Sequence, residues 1–264
     1  MYQIKIFSTG FPATPRATMF PTQQHKQPVD FVNAVEAHLI ENTSRVSTFE
    51  YGGQKLWVKQ IELTSGRSRF FKPAPRHNFD CEIKAYEELR SKEAAVPDML
   101  LKSSRYFVLA DAGPTLEAFW RDDEIDQETR VLASKKAGQA LAQLHALGVA
   151  HGRPVARDVC WDGKQVLFLD FENHSHRRNG VRGRAFDLLC FFHSVCSQPV
   201  KDEVALQASI DGYKRNDQTG VWQEASVLVR RFGWLEVFTR PIQTRKSPHA
   251  REFKSLPIVR QIFT

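Results

Sequence analysis

The chain has 264 residues, 42% of them hydrophobic and 25% charged, which suits one large globular domain or two small lobes sharing a cleft. Its longest apolar runs, such as 188–192, are far too short to cross a membrane, and the opening MYQIKIFSTGF lacks the apolar stretch of a secretory signal. Four cysteines (Cys81, Cys160, Cys190 and Cys196) without a small-domain spacing pattern read as reduced thiols of a cytoplasmic protein. A net charge of +7 and a pI of 9.3 favour phosphate-bearing partners: a nucleotide, nucleic acid, or an anionic glycolipid or inner-membrane face.

Residues 1–29 are rich in Pro, Thr and Gln and read as an N-terminal extension with one strand at 3–7. Asp30 is a candidate N-cap for a helix through Phe31, Val35 and Leu39. Two β-rich runs then flank Gly52-Gly53, which predicts a tight hairpin with Lys59 near the end of its second strand. The stretch 64–77 reads as a basic loop. A helix follows, with Asp80 and Glu82 expected in its first turn and Pro97 ending it. YFVLADAG is a buried strand running into the breaker Gly113-Pro114, which places an N-lobe at 30–112 and a C-lobe at 113–264.

The second half opens on a long amphipathic helix from Asp126 to Leu147, its apolar face including Val131, Leu132, Ala140, Leu141 and Leu144, with Gly148 as its cap. HGRPVARD is a loop, and a second hairpin turns at Asp162-Gly163. FDLLCFFHSVC is a buried helix opening near Asp187, and a further helix runs from Trp222 to about Phe238. Strands early and helices late give an α+β protein in two lobes.

The polar residues fall where charge chemistry needs them. Asp170 ends the hydrophobic run VLFL, where an unpartnered carboxylate is costly and a metal ligand is the better account. Val58-Lys59 on a hairpin strand, an acidic residue in the next helix, His151 seven residues before Asp158, and Asp170-Phe171-Glu172 after a short hairpin together resemble the protein kinases. The resemblance covers roughly 45–195 and is nearest to the bacterial branch of lipopolysaccharide core kinases and RIO-like kinases. It implies a two-lobed kinase-like fold and ATP- and Mg2+-dependent transfer of phosphate to a hydroxyl, with a lipopolysaccharide core sugar as a possible acceptor. Lys59 and Glu82 would position the phosphates. Asp158 and Asp170 would hold the metal, and Ser44 lies in the loop expected to cover the nucleotide. The backbone of 108–112, including Val108, Ala110 and Ala112, would meet the adenine, and Asp187 would brace the loop around His151.

Two departures qualify the resemblance. Arg153 stands where the family has its catalytic aspartate, and a guanidinium, always protonated, cannot accept the hydroxyl proton. Either Asp158 takes over that task, or transfer proceeds without a base, or the chain is a pseudokinase. The nucleotide-covering loop, read as 41–45, has no glycine, and Glu172 replaces the glycine after Phe171. A third reading, a nucleic-acid-binding protein, draws on the charge and on the aromatic-basic tail with Trp222, Arg230, Arg231, Trp234, Arg240, Arg245 and Lys246. The basic stretch His174, His176, Arg177, Arg178, Arg182 and Arg184 is either a solvated loop or an anion site. No zinc site is read at Cys190, His193 and Cys196, which suit a core helix, nor at His174 and His176, which lack a Cys or carboxylate at zinc spacing.

Overall fold

The computed structural model describes residues 29–61, 75–234, 239–241, 243–244 and 250–264. The expected strand at 3–7, most of the basic loop, and Arg245 and Lys246 lie outside them, whereas the helix predicted to reach Phe238 ends at Phe232, where Gly233 caps it. The chain is α+β, a small antiparallel sheet followed by a mainly helical half. Helix α1 (Val29–Glu41) leads into β1 (Val46–Tyr51) and β2 (Gln54–Gln60), which pair antiparallel around Gly52-Gly53. Asp30 lies in the first turn of α1 rather than capping it, and Glu41 belongs to the helix, which shortens the loop before β1.

Helix α2 (Pro75–Ser91) begins earlier than the sequence suggests. Proline suits the first helical position because its missing N–H would be unpaired there anyway, so Arg76 and His77 are helical. Asp80 and Glu82 therefore lie beyond the first turn, and the helix ends at Ser91, well before Pro97. Strands β3 (Met99–Lys102) and β4 (Tyr106–Ala110) complete a sheet of order β1-β2-β4-β3. Alternation along β2 divides its side chains. Leu56 and Val58 pack with Phe31, Val35, Tyr106 and Val108 under α1, while Trp57 and Lys59 face the other side.

The helical half comprises α3 (Leu116–Arg121), α4 (Gln127–Ala146), the hairpin β5 (Val159–Trp161) and β6 (Val166–Phe168), α5 (Val181–Cys196), α6 (Glu203–Lys214), α7 (Val221–Phe232) and α8 (Ala250–Phe263). Asp126 caps α4, accepting from the Thr129 N–H at 2.8 Å. Its buried stripe runs through Ala133, Ala137, Ala140, Leu141 and Leu144, whereas Leu132 is exposed and Val131 half-buried. The face is rotated because α6 crosses α4 at two glycines. A Cβ on Gly138 would sit 2.2 Å from the Ser209 carbonyl, and one on Gly212 2.3 Å from that of Lys135. Small residues here set the approach of the two helices.

Candidate active site

Three charged side chains from distant parts of the chain meet in the cleft between sheet and helices. Lys59 Nζ on β2 donates to Glu82 Oε1 at 2.6 Å and to Asp170 Oδ1 at 3.0 Å. Glu82, on α2, is 1% exposed. Burial, only partly offset by Lys59, holds its carboxyl above the usual range. At Asp170 burial pushes upward, but Lys59, with Arg45 and His151 behind it, outweighs it and keeps that carboxyl low. One ammonium thus serves two carboxylates, an arrangement that leaves negative charge in the cleft to be neutralised.

Asp158 adds to that charge. It closes the short turn Ala156–Asp158, and its carbonyl accepts from the Leu169 N–H at 2.8 Å, tying the loop to the strand that ends in Asp170. Burial, then repulsion from Asp170, pushes its carboxyl up to about 7. Asp170 has φ 62°, a left-handed conformation that a non-glycine residue adopts at a cost. In this conformation its carboxylate accepts from Lys59. Two crowded, oxygen-donating carboxylates, one of them resisting ionisation, suit a hard divalent cation such as Mg2+.

His151 is fully buried under this pair. Its Nε2–H donates to the Leu169 carbonyl at 2.9 Å, and its ring lies 4.4 Å from that of Phe171, which in turn meets Tyr86 of α2 at 5.5 Å. Asp187 accepts from the backbone N–H groups of His151 and Gly152, the latter at 2.9 Å. Since α5 starts at Val181, Asp187 is not the first-turn residue expected, and its carboxylate is committed to the loop. Gly152 is required in that loop: it has φ +103°, and a Cβ would lie 2.3 Å from the Asn173 carbonyl. Arg153, the next residue, is exposed.

The covering loop is short. Ser44 is exposed, with its N–H on Asn42 and its carbonyl on Gln60. Beside it Arg45 donates to Glu172 at 2.7 Å, so the residue that replaces the expected glycine closes an ion pair across the cleft mouth. Val108 does not offer its backbone to a base, because β4 is paired on both sides there, with Val58 and Leu101. The Ala110 N–H is likewise taken, by Asp98 at 2.9 Å. Ala112, past the strand, is buried against Cys160 and Leu167. Sequence reasoning missed Trp57, on the same face as Lys59, whose indole N–H donates to Asp111 at 2.7 Å while Lys55 lies 5.0 Å from its ring. The period-two spacing from Lys59 was the available signal.

The basic stretch is not one anion site. Arg184 is buried on the His145 carbonyl, and Arg178 donates to that of Gly152. Trp222 is a core residue among Phe192, Tyr213 and Phe263, closed to base stacking. Arg153 instead joins two surface clefts. One, of about 640 Å3, is walled by Phe186, Leu228, Phe232 and Val259. The other, of about 380 Å3, carries Arg121, Arg157 and Arg251 together with Glu117, which pairs with Arg121, and Glu252.

The lysine–glutamate pair between sheet and helix, the left-handed aspartate after the second hairpin, and the histidine loop anchored by Asp187 make this a protein-kinase-like fold. No family model matches the chain. An uncharacterized protein of Haemophilus influenzae is 33% identical over 199 residues, covering 75% of this chain and 82% of that protein. Two solved structures are similar in outline at 10% and 11% identity. They are the streptomycin-ATP-APH(2")-IIa ternary complex, with a TM-score of 0.44, and the gentamicin-APH(2")-IIa complex, with a TM-score of 0.45. Each match covers 90% of this chain and 99% of the other.

Proposed function

This chain belongs to the same family as the Haemophilus influenzae protein, and we propose that it is an ATP-dependent phosphotransferase acting on a hydroxyl group. The observation that carries the reading is Lys59 held between Glu82 and Asp170 at 2.6 and 3.0 Å. A fixed cation beside paired carboxylates is what a metal–polyphosphate requires, and phosphoryl transfer depends mainly on such positioning and charge neutralisation.

In this reading Lys59 binds phosphate oxygens and Glu82 holds the ammonium in place. Asp158 and Asp170 hold Mg2+, which when bound supplies positive charge to the phosphates. Arg45, released from Glu172, gives a second cation in place of the glycine-rich loop's N–H groups. Trp57 and the chain at 111–112 are the residues that would receive the base. Asp158 is also the carboxylate placed to take the acceptor proton that Arg153 cannot.

The acceptor is an anionic amphiphile. Arg153, at the junction of an apolar and a cationic cleft, meets its negative group while Phe186, Leu228 and Phe232 hold its apolar part. A lipopolysaccharide core sugar at the inner face of the cell membrane has this chemistry. No helix among the described residues is long and apolar enough to cross a membrane. Arg153 also favours a second reading, a pseudokinase that binds nucleotide without transferring phosphate.

A thermal-shift titration of wild type and Asp170→Ala with ATP, with and without Mg2+, tests the site. A magnesium-dependent shift lost in the variant supports it, and no shift in wild type would sink it. A shift that needs no metal, with label transfer by Arg153→Asp but not wild type, would establish the pseudokinase.

A further inference from the structure

Outside the cleft, His174 has a buried ring nitrogen with no hydrogen-bond partner and two further metal-ligating side chains close to it. His174 Nδ1 is 2.7 Å from the Ala150 carbonyl, which can only accept, so Nδ1 carries the proton and Nε2 the lone pair. That Nε2 is buried and has no hydrogen-bond partner. A backbone carbonyl on one imidazole nitrogen is the usual way a protein orients the other toward a metal. Two further donors converge on it: one ligand atom each from Glu88, His174 and His176 lies within 4.8 Å of the others. Glu88 is the carboxylate that the spacing of His174 and His176 does not supply, brought across from α2.

The geometry suits a small tetrahedral ion. Zinc bonds of ~2.0–2.1 Å place neighbouring donors about 3.3 Å apart, and Glu88 Oε2 already stands 3.3 Å from His176 Nε2. Lys92 occupies the other carboxylate oxygen, Oε1, at 2.7 Å, so it orients Glu88 without blocking Oε2. His176 is 75% exposed and free to swing inward. A surface ion pair between Glu88 and His176 would account for those two residues, but not for the buried lone pair of His174.

We propose that Glu88, His174 and His176 bind a Zn2+-class divalent transition-metal ion, fastening α2, which carries Glu82, to the loop that follows Asp170. Two imidazoles and one carboxylate favour zinc, cobalt or nickel over magnesium and calcium, which prefer all-oxygen sets. The fourth position is left to water. The site is distinct from the Asp158–Asp170 pair, and it does not depend on the chain transferring phosphate.

The test is calorimetric titration of the chelator-stripped full chain with Zn2+, with Co2+ absorption as a second readout. Wild type is expected to bind one ion, with tetrahedral cobalt bands, and to melt higher with Zn2+ but not with Mg2+. Glu88→Gln and His176→Ala, both at partly exposed positions, are expected to weaken binding by tenfold or more. Cys81→Ser is the control, because Cys81 Sγ lies 3.6 Å from His77 Nε2 and offers the other zinc-binding pair on α2. Its affinity should match wild type. Undetectable binding by wild type, undiminished binding by Glu88→Gln and His176→Ala, or loss in Cys81→Ser would each overturn the proposal.

Discussion

The proposed phosphate site and the proposed acceptor site are built differently. At the site proposed for phosphate, Lys59, Glu82, Asp158 and Asp170 are largely buried, and each is tied to another charge. At the site proposed for the acceptor, Arg153 and Arg157 are exposed. A buried charge whose partner is removed is severely penalised, whereas an exposed one simply returns to water. The phosphate site therefore tolerates little substitution, while the acceptor site is free to change with its substrate. Arg153 in place of an aspartate is a change at the tolerant site.

If that contrast holds, Lys59→Met should have the largest effect. It strands Glu82 and Asp170 together and removes the phosphate cation, so transfer should fall by ~10²–10³-fold, read by label transfer at saturating acceptor. Glu82→Gln should fall in the same direction with smaller loss. Retention of full activity by Lys59→Met would break the comparison at its strong end.

Asp158 sharpens it in the opposite sense. Its carboxyl titrates near pH 4 in an unfolded chain and at about 7 in the folded one. The folded state thus holds its proton more tightly, and stability falls as pH climbs from about 4 to 7, the deficit being complete above that. Without metal at pH 8, Asp158→Asn should be more stable than wild type by up to about 4 kcal/mol, roughly 10 °C in Tm. At pH 4 the two should coincide, and Mg2+-ATP should rescue only wild type. Equal melting at pH 8 would show that Asp158 carries no burden there. Stabilisation by loss of charge is expected of a ligand site, where function is kept at the expense of the fold.

At the tolerant site, Arg153→Ala should raise the acceptor KM by about tenfold, the worth of one charge-assisted hydrogen bond. It should leave the ATP-induced thermal shift as in wild type. Weakened ATP binding in Arg153→Ala would mean that the two sites are not separable.

How much was legible in the sequence follows the same division. The hairpins were readable because Gly52-Gly53 and Asp162-Gly163 are local turn chemistry. Asp170 was readable because a carboxylate that closes an apolar run needs a partner to stay there, and Lys59 and Glu82 were readable through the resemblance of their pattern to the protein kinases. The start of α2 was not, since Pro75 and the basic residues after it look like loop until the helix is seen to begin on the proline. Strand β3 escaped because four residues carry too little alternation, and the start of helix α5 because Gly180 caps it without a side chain. Contacts between α2 and the 174–176 loop are long-range pairings that no spacing along one chain encodes.

The Arg45–Glu172 pair gives the smallest stability effect and the most discriminating sign. It spans the mouth of the cleft between the covering loop and the residue after Phe171, and Arg45 is 43% exposed. As an exposed pair it should contribute less than about 1 kcal/mol to folding, so neither Arg45→Ala nor Glu172→Gln should shift Tm appreciably. Their effects on nucleotide should nevertheless oppose each other. Arg45→Ala removes a phosphate cation and should raise the ATP KM several-fold. Glu172→Gln removes the competitor for that cation and should lower it. A purely structural latch would make both variants fail together, because breaking it from either side opens the same mouth; opposite shifts in KM require that the guanidinium leave Glu172 for the nucleotide.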